Sequence, residues 1–190
     1  ALRAVRDRAG VRPGQRVLIN GASGGVGIFA VQIAKALGAE VTAVCSAGSA
    51  DLVRSIGADH VIDYSREDFT RGDQRYDFIL DNAGNHSLAE CRRVVARGGT
   101  FIPNNGTRGG RWIGTVGRIL GATLLSPLVP RQGRPFVSIE KRADILVLKE
   151  LIETGKVTPV VDRVYPLDET ARALAHVGQG HSRGKVVITV

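Results

Sequence analysis

Apolar and polar positions along the chain follow two alternating rhythms. Short unbroken apolar runs, such as Val17-Leu18-Ile19 and Phe78-Ile79-Leu80, are separated by stretches in which apolar residues recur every three to four positions. Runs without polar alternation suit strands buried on both faces, as in a parallel sheet covered by helices, and the longer period suits the covering helices. The pattern predicts a short helix over 1–10, a turn at Pro13-Gly14 and a strand over 16–19. It then predicts a helix from Val26, with Phe29, Ala30, Ile33 and Leu37 on one buried face and Gly38 ending it. Further strands are expected over 40–45, 60–62, 77–80 and 99–103, with helices over 49–56 and 86–95 and a helical turn over 66–72. This alternation predicts an α/β, doubly wound, mostly parallel sheet with helices on both faces, the Rossmann architecture.

Beyond Pro103 the rhythm loosens into a Gly- and Asn-rich loop over 104–110. A helical face carrying Trp112, Ile113, Val116, Ile119, Leu120, Thr123 and Leu124 follows, read as packing over a ligand cleft rather than lying on a membrane. A strand over 136–139 is expected next, then a helix over 143–155 with Ile145, Leu146, Leu148 and Leu151 apolar, and a strand over 160–165. Asp168 is expected to cap a final helix running to Val177, and 184–190 to close as a strand. The domain reading is 1–156 for the main unit and 157–190 for a C-terminal segment that would return to another domain.

Between the first strand and the first long helix stands Asn20-Gly21-Ala22-Ser23-Gly24-Gly25-Val26-Gly27. Glycines there permit a tight turn, close approach of backbone amides to a pyrophosphate, and close packing of the following helix, whose N-terminal partial charge faces the anion. The segment therefore points to a bound dinucleotide.

Composition narrows the choices. The formal charge is +8 with a pI near 10.2, but the 21 Arg and 5 Lys are scattered along the whole chain and aromatics make up 5% of it. That is a poor match to a base-stacking, phosphate-tracking surface, so no nucleic-acid partner is expected. Cys45 and Cys91 are too few for a disulfide framework or a four-thiolate zinc site, and no metal site is expected. No apolar run reaches the ~18 residues that a membrane-spanning helix needs. The first residues lack a signal-peptide core, so a cytoplasmic protein without a membrane partner is expected. Methionine is absent altogether, which favours a piece of a longer protein. His60, His86, His176 and His181 have no partner recognisable from spacing.

Two oxidoreductase families carry such glycines. Gly21, Gly25 and Gly27 fit the Gly-x-x-x-Gly-x-Gly turn of short-chain dehydrogenases, and Asp81-Asn82-Ala83-Gly84 imitates their Asn-Asn-Ala-Gly strand end. Their chemistry needs a Tyr and a Lys four positions apart on one helix, so that the ammonium lowers the phenol's pKa. Tyr64, Tyr76 and Tyr165 are followed at that distance by Asp68, Leu80 and Glu169, which excludes the family.

The longer match runs through Val11 to Gly27, Ala30 to Ala39, Gly57-Ala-Asp-His-Val-Ile-Asp-Tyr64 and Gly184-Lys-Val-Val-Ile188. These residues resemble the medium-chain dehydrogenase/reductase superfamily, in particular its zinc-independent, quinone-oxidoreductase-like branch. The resemblance implies the cofactor-binding region plus the C-terminal segment of such an enzyme, without its chaperonin-10-like catalytic domain. It implies a pyrophosphate held around Ala22, Ser23, Gly24, Gly25 and Val26, and Asn82 and Asn104 facing the ribose and nicotinamide. Asp81 is read as a cap or loop acceptor and kept out of the site.

At the end of the second strand, where a carboxylate would hold a ribose 2′-hydroxyl, stand Cys45 and Ser46. Small neutral groups admit a 2′-phosphate that a carboxylate would repel, so the expected cofactor is NADP rather than NAD. Tyr64 matches the phosphate-holding Tyr of NADPH-using relatives, while Ser49 stands at their Lys position. The expected activity is hydride transfer between NADPH and a quinone, enone or carbonyl/alcohol substrate, in a homo-oligomer whose catalytic residues are unassigned. The alternatives are a non-catalytic NADPH-binding or scaffold domain using the basic 108–134 segment, or the cofactor domain of a zinc-dependent alcohol dehydrogenase.

Overall fold

The computed structural model describes residues 1–104, 141–180 and 182–190. The expected Trp112-bearing helix, the 136–139 strand, the loop beyond Asn104 and His181 lie outside the described residues.

After a wide helical turn at Arg3–Arg8 come β1 (Arg16–Asn20), α1 (Gly27–Ala36), β2 (Glu40–Cys45), α2 (Ala50–Ser55), β3 (His60–Asp63), β4 (Tyr76–Asp81), α3 (Leu88–Arg93) and β5 (Val95–Pro103). Then follow α4 (Arg142–Glu153), β6 (Val161–Pro166), α5 (Thr170–Gly178) and β7 (Lys185–Thr189). Among the described residues the first five strands form one parallel sheet in the order β3-β2-β1-β4-β5, and β6 pairs with β7 in a second, parallel ladder. This is the doubly wound fold, with β1 at its centre and the order reversing between β1 and β4.

The period of two along each strand divides the core. Val17, Ile19, Val41, Ala43, Phe78, Leu80 and Ile102 point to one face, packed by the N-terminal turn, α1, Val53 of α2 and Leu148 and Leu151 of α4. Leu18, Val44, Ile79 and Phe101 point to the other, where they meet Phe69 and Cys91. Apolar side chains on both faces explain why the strands read as continuous runs.

Several expectations are corrected. Helix α1 is buried on more than one stripe: Ile28, Val31, Gln32 and Ala34 are as covered as Ala30 and Ile33, while Val26 at its mouth is exposed. The C-terminal return closes over the face that the single-stripe reading leaves to water. Gln32 is held there, its Nε2 donating to Thr158 O at 3.0 Å and its Oε1 accepting from Thr158 N at 2.7 Å. The helix end is as read: Gly38 has φ +81°, its N–H reaches Lys35 O, and Ala39 N–H reaches Ala34 O.

Helix α3 stops at Arg93, so that β5 begins at Val95 and pairs there with Tyr76 before a register shift. On α4 Ile145 and Leu146 face outward, and Val147, Leu148 and Leu151 make the contact. Asp168 does not cap the last helix but sits in a tight turn, Leu167–Glu169, that leads into it. Val157 belongs to the main core, one residue past the boundary read at 156.

Candidate functional site

Where β1, β2 and β4 end at their carboxyl termini, the chain leaves a cleft of about 690 Å³. In an open α/β sheet the crevice at the order reversal is where ligands bind. The glycine turn forms its floor. Gly21, at φ +74°, donates its N–H to Val44 O, as does Ala22, and Gly24 donates to Gly21 O. A Cβ at Gly27 would lie 2.2 Å from Gly21 O, so only glycine lets α1 begin this close to the turn.

Ser23, Gly24, Gly25 and Val26 line the cleft. Ala22 is corrected to a core position: it is fully buried, and its amide belongs to the bond to Val44. At one side, Ser46 and the buried Ser49 share a hydroxyl contact of 3.3 Å after β2, and Tyr64 stands exposed after β3. At the other, Asn104 Nδ2 donates to Asn82 Oδ1 at 2.8 Å. Among the described residues, Asn82 Nδ2 is buried and has no hydrogen-bond partner. A buried donor without a partner is costly, and at a cleft wall it is a place for a ligand acceptor.

Beneath the cleft lies a polar network that the sequence reading left out of the site. Asn20 Nδ2 donates to Asp81 Oδ1 at 2.9 Å and to Asn85 Oδ1 at 2.8 Å. Asp81 Oδ1 also accepts from Ala83 N and Gly84 N, so Asp81 is a loop acceptor that fixes the β4 turn. The cleft further gains Gly180, Ser182 and Arg183 from the loop between α5 and β7. Arg183 reaches the turn after β2, with Nη2 3.6 Å from where a Cβ of Gly48 would lie. Spacing gave no signal for it; its neighbour Gly184 in the Gly-Lys-Val-Val-Ile match was the available clue.

Among the described residues, no carboxylate lines the cleft and Arg183 is its one permanent cation, so the cleft suits an anionic ligand. Cys45 also faces it, but burial, and then Asp63, push its thiol upward, so it is protonated and no nucleophile. Burial and then Asp81 push Cys91 up to about 12. Three histidines find partners across elements: His60 with Glu40 at 2.7 Å, His176 with Asp162 at 2.7 Å, and His86 edge-on to Phe69 at 4.8 Å. No group of three His, Cys, Asp or Glu among the described residues is placed to hold a metal ion. No helix among them is long and apolar enough to cross a membrane.

The zinc-binding dehydrogenase family model matches residues 56–188. The chain is 38% identical over 193 aligned residues to the mitochondrial NAD(P)H oxidoreductase RTN4IP1 of Mus musculus, covering 93% of this chain and 48% of that protein. It is 29% identical to a chloroplast envelope quinone oxidoreductase homolog of Arabidopsis thaliana, covering 99% of this chain and 58% of that one. Among solved structures, the quinone oxidoreductase of Coxiella burnetii superposes with a TM-score of 0.82 at 25% identity, covering 98% of this chain and 56% of that one. A nucleotide-type cleft at the sheet's order reversal and a family match over most of the chain agree: the protein belongs to the zinc-binding dehydrogenase family, within the medium-chain dehydrogenase/reductases. It spans about half the length of the curated relatives it matches.

Proposed function

We propose that this chain is the cofactor-binding part of an NADPH-dependent oxidoreductase that moves hydride between the nicotinamide and a quinone, enone or carbonyl/alcohol substrate. One observation carries the reading: the glycine turn at the start of α1 and Ser46, Ser49 and Tyr64 with Arg183 line one cleft in which no described residue is a carboxylate. Backbone N–H groups at a helix start suit a pyrophosphate. A guanidinium beside two hydroxyls suits a 2′-phosphate, and supplies the cation missing at the Ser49 position.

The nicotinamide supplies the hydride when bound. The chain's own residues bind and orient it: Asn82 offers its unpaired N–H, Asn20 and Asp81 hold the loop that presents Asn82, and Ser23 to Val26 receive the diphosphate. The reading includes a small-molecule substrate and a second copy of the chain as partners, and no nucleic acid or membrane. Two free, buried thiols fit a reducing compartment, which we take to be the cytoplasm.

Isothermal titration with NADPH and NADH tests the reading. NADPH should bind about tenfold or more tighter, the size expected of a charge-assisted contact, and Arg183→Ala should remove the difference. Equal binding of the two cofactors, or binding of neither, overturns it.

A further inference from the structure

We infer that Asn85 binds the nicotinamide half of the cofactor by offering its side-chain NH2 to an oxygen there, and that Asn20 is the positioning residue that leaves this NH2 free. The inference rests on the dinucleotide reading above and extends it to a residue outside the glycine turn. Chemistry sets the direction of each bond. A carboxylate accepts and cannot donate. Asp81, 2% exposed at the end of β4, accepts on Oδ1 from Ala83 N–H at 3.2 Å, Gly84 N–H at 2.8 Å and Asn20 Nδ2 at 2.9 Å. Asn20, equally buried at the end of β1, must therefore turn its NH2 and not its carbonyl toward Asp81. The same NH2 also donates to Asn85 Oδ1 at 2.8 Å. Against a donor, Asn85 presents its oxygen. What it leaves unspent among the described residues is its own NH2, and Asn85 stands exposed on the wall of the cleft. A buried carboxylate thus fixes, two bonds away, which end of a surface amide is free.

Asn82 repeats the arrangement on the same wall. Its Oδ1 accepts from Asn104 Nδ2 at 2.8 Å, and its Nδ2 is the buried donor without a partner among the described residues. Main-chain bonds hold the strand ends together: Asn82 N–H donates to Asn20 O at 3.0 Å, and Asn104 N–H to Asp81 O at 2.8 Å. Two amide NH2 groups whose oxygens are already engaged suit a ligand oxygen that accepts. Position selects which half of the ligand supplies it. In the sheet order β3-β2-β1-β4-β5 the glycine turn follows the central β1, with Ser46, Ser49 and Tyr64 after β2 and β3 on one side of it. Asn82, Asn85 and Asn104 stand on the other, after β4 and β5. With the 2′-phosphate end seated on the serines and the diphosphate at the turn, that far wall receives the nicotinamide riboside, whose ribose hydroxyls and carboxamide oxygen can accept.

The test is isothermal titration of the 190-residue chain with NADPH, NADH and adenosine 2′,5′-bisphosphate, which carries the 2′-phosphate but no nicotinamide half. Wild type is compared with Asn85→Ala, Asn85→Asp, Asn20→Ala and the Asn20→Ala/Asn85→Ala double variant. Asn85→Ala should weaken NADPH and NADH by the same factor, about fivefold, and leave the bisphosphate within about twofold. Asn85→Asp keeps the oxygen that Asn20 bonds and loses only the NH2, so a structural Asn85 would tolerate it. Here it should weaken both dinucleotides at least as much as Asn85→Ala does, again sparing the bisphosphate. Asn20→Ala should weaken both about threefold, and should cost nothing further in the Asn85→Ala background, since both act on one contact.

Wild-type affinity in Asn85→Asp, or a loss for the bisphosphate as large as that for the dinucleotides, overturns the binding role. A full Asn20→Ala effect persisting without Asn85 overturns the positioning role. If wild type binds both dinucleotides and the Asn85 variants bind them equally well, the cofactor reading stands and this inference falls. If wild type binds neither dinucleotide, both fall. Should Asn20→Ala fail to fold, Asn20→Ser, whose single hydroxyl hydrogen cannot serve Asp81 and Asn85 together, takes its place with the same expected loss.

Discussion

Two glycines of the turn omit a side chain for different reasons. At Gly27 a methyl group would overlap backbone, 2.2 Å from Gly21 O and 2.6 Å from Ala22 O, and no rotation relieves it. At Gly25 it would meet Lys185 Nζ at 3.1 Å, the flexible end of a long side chain. Gly27→Ala should therefore lower unfolding free energy by about 2–3 kcal/mol in a urea melt, and Gly25→Ala by less than about 1 kcal/mol. Comparable losses would show that the close approach of α1 to the turn is not what Gly27 provides. The sequence made this turn legible because every part of it is local: strand end, glycines and helix start lie within a dozen residues. It could not show that Ala22 faces inward, since that depends on β2 running beside β1 and offering Val44 O.

Between elements, Asp59 ties α1, β2 and the turn before β3. Its carboxylate takes the Lys35 ammonium at 2.8 Å and the Val41 N–H at 2.7 Å. Burial opposes its charge, but those two bonds win and hold its pKa below the ordinary aspartate value of 3.8. Asp68 is lowered too, first by the Thr70 hydroxyl. A carboxyl group with a depressed folded value contributes stability that is complete above its unfolded value and is lost as pH falls through the folded one. The urea midpoint should accordingly decline as pH drops below about 3.8, and Asp59→Asn should flatten part of that decline; an unaltered acid slope in the variant would remove Asp59 from the account.

The strands were readable because a parallel strand covered on both faces carries its own signature in continuous apolar residues. Helix faces were less so. Burial of Gln32 and Ile28 on α1 depends on Thr158 and its neighbours coming back across the helix, and a one-helix periodicity holds no record of a segment so distant in sequence. The early end of α3 has the same kind of cause: Tyr76 captures Val95 for the sheet, against a pattern that would let the helix continue.

At the scale of the whole molecule, the apolar residues are not all covered. Val164 is 58% exposed and Leu174 66% exposed on the β6–α5–β7 unit, and Ile145 and Leu146 stand out from α4. Exposed apolar side chains of this sort favour association. In our reading the partner is a second copy of the chain, so light scattering should show a mass that rises with concentration, and Leu174→Glu should suppress the rise. A monomer at high concentration would rule out that use of the face. The five-stranded unit and its glycine turn were legible from the sequence, whereas the cleft's cation was not. Arg183 enters from the far end of the chain, and its position follows from how β7 docks on β6.

That docking has a consequence for biosynthesis. The slot left by the missing side chain of Gly25 is occupied by the end of Lys185, and the adjoining Gly184 O lies against it as well. A ribosome releases the turn well before the segment that roofs it, so a nascent chain can complete its five-stranded sheet while the cleft still lacks one wall. In our reading, cofactor capture thus becomes a checkpoint of synthesis, open only to chains translated through Lys185.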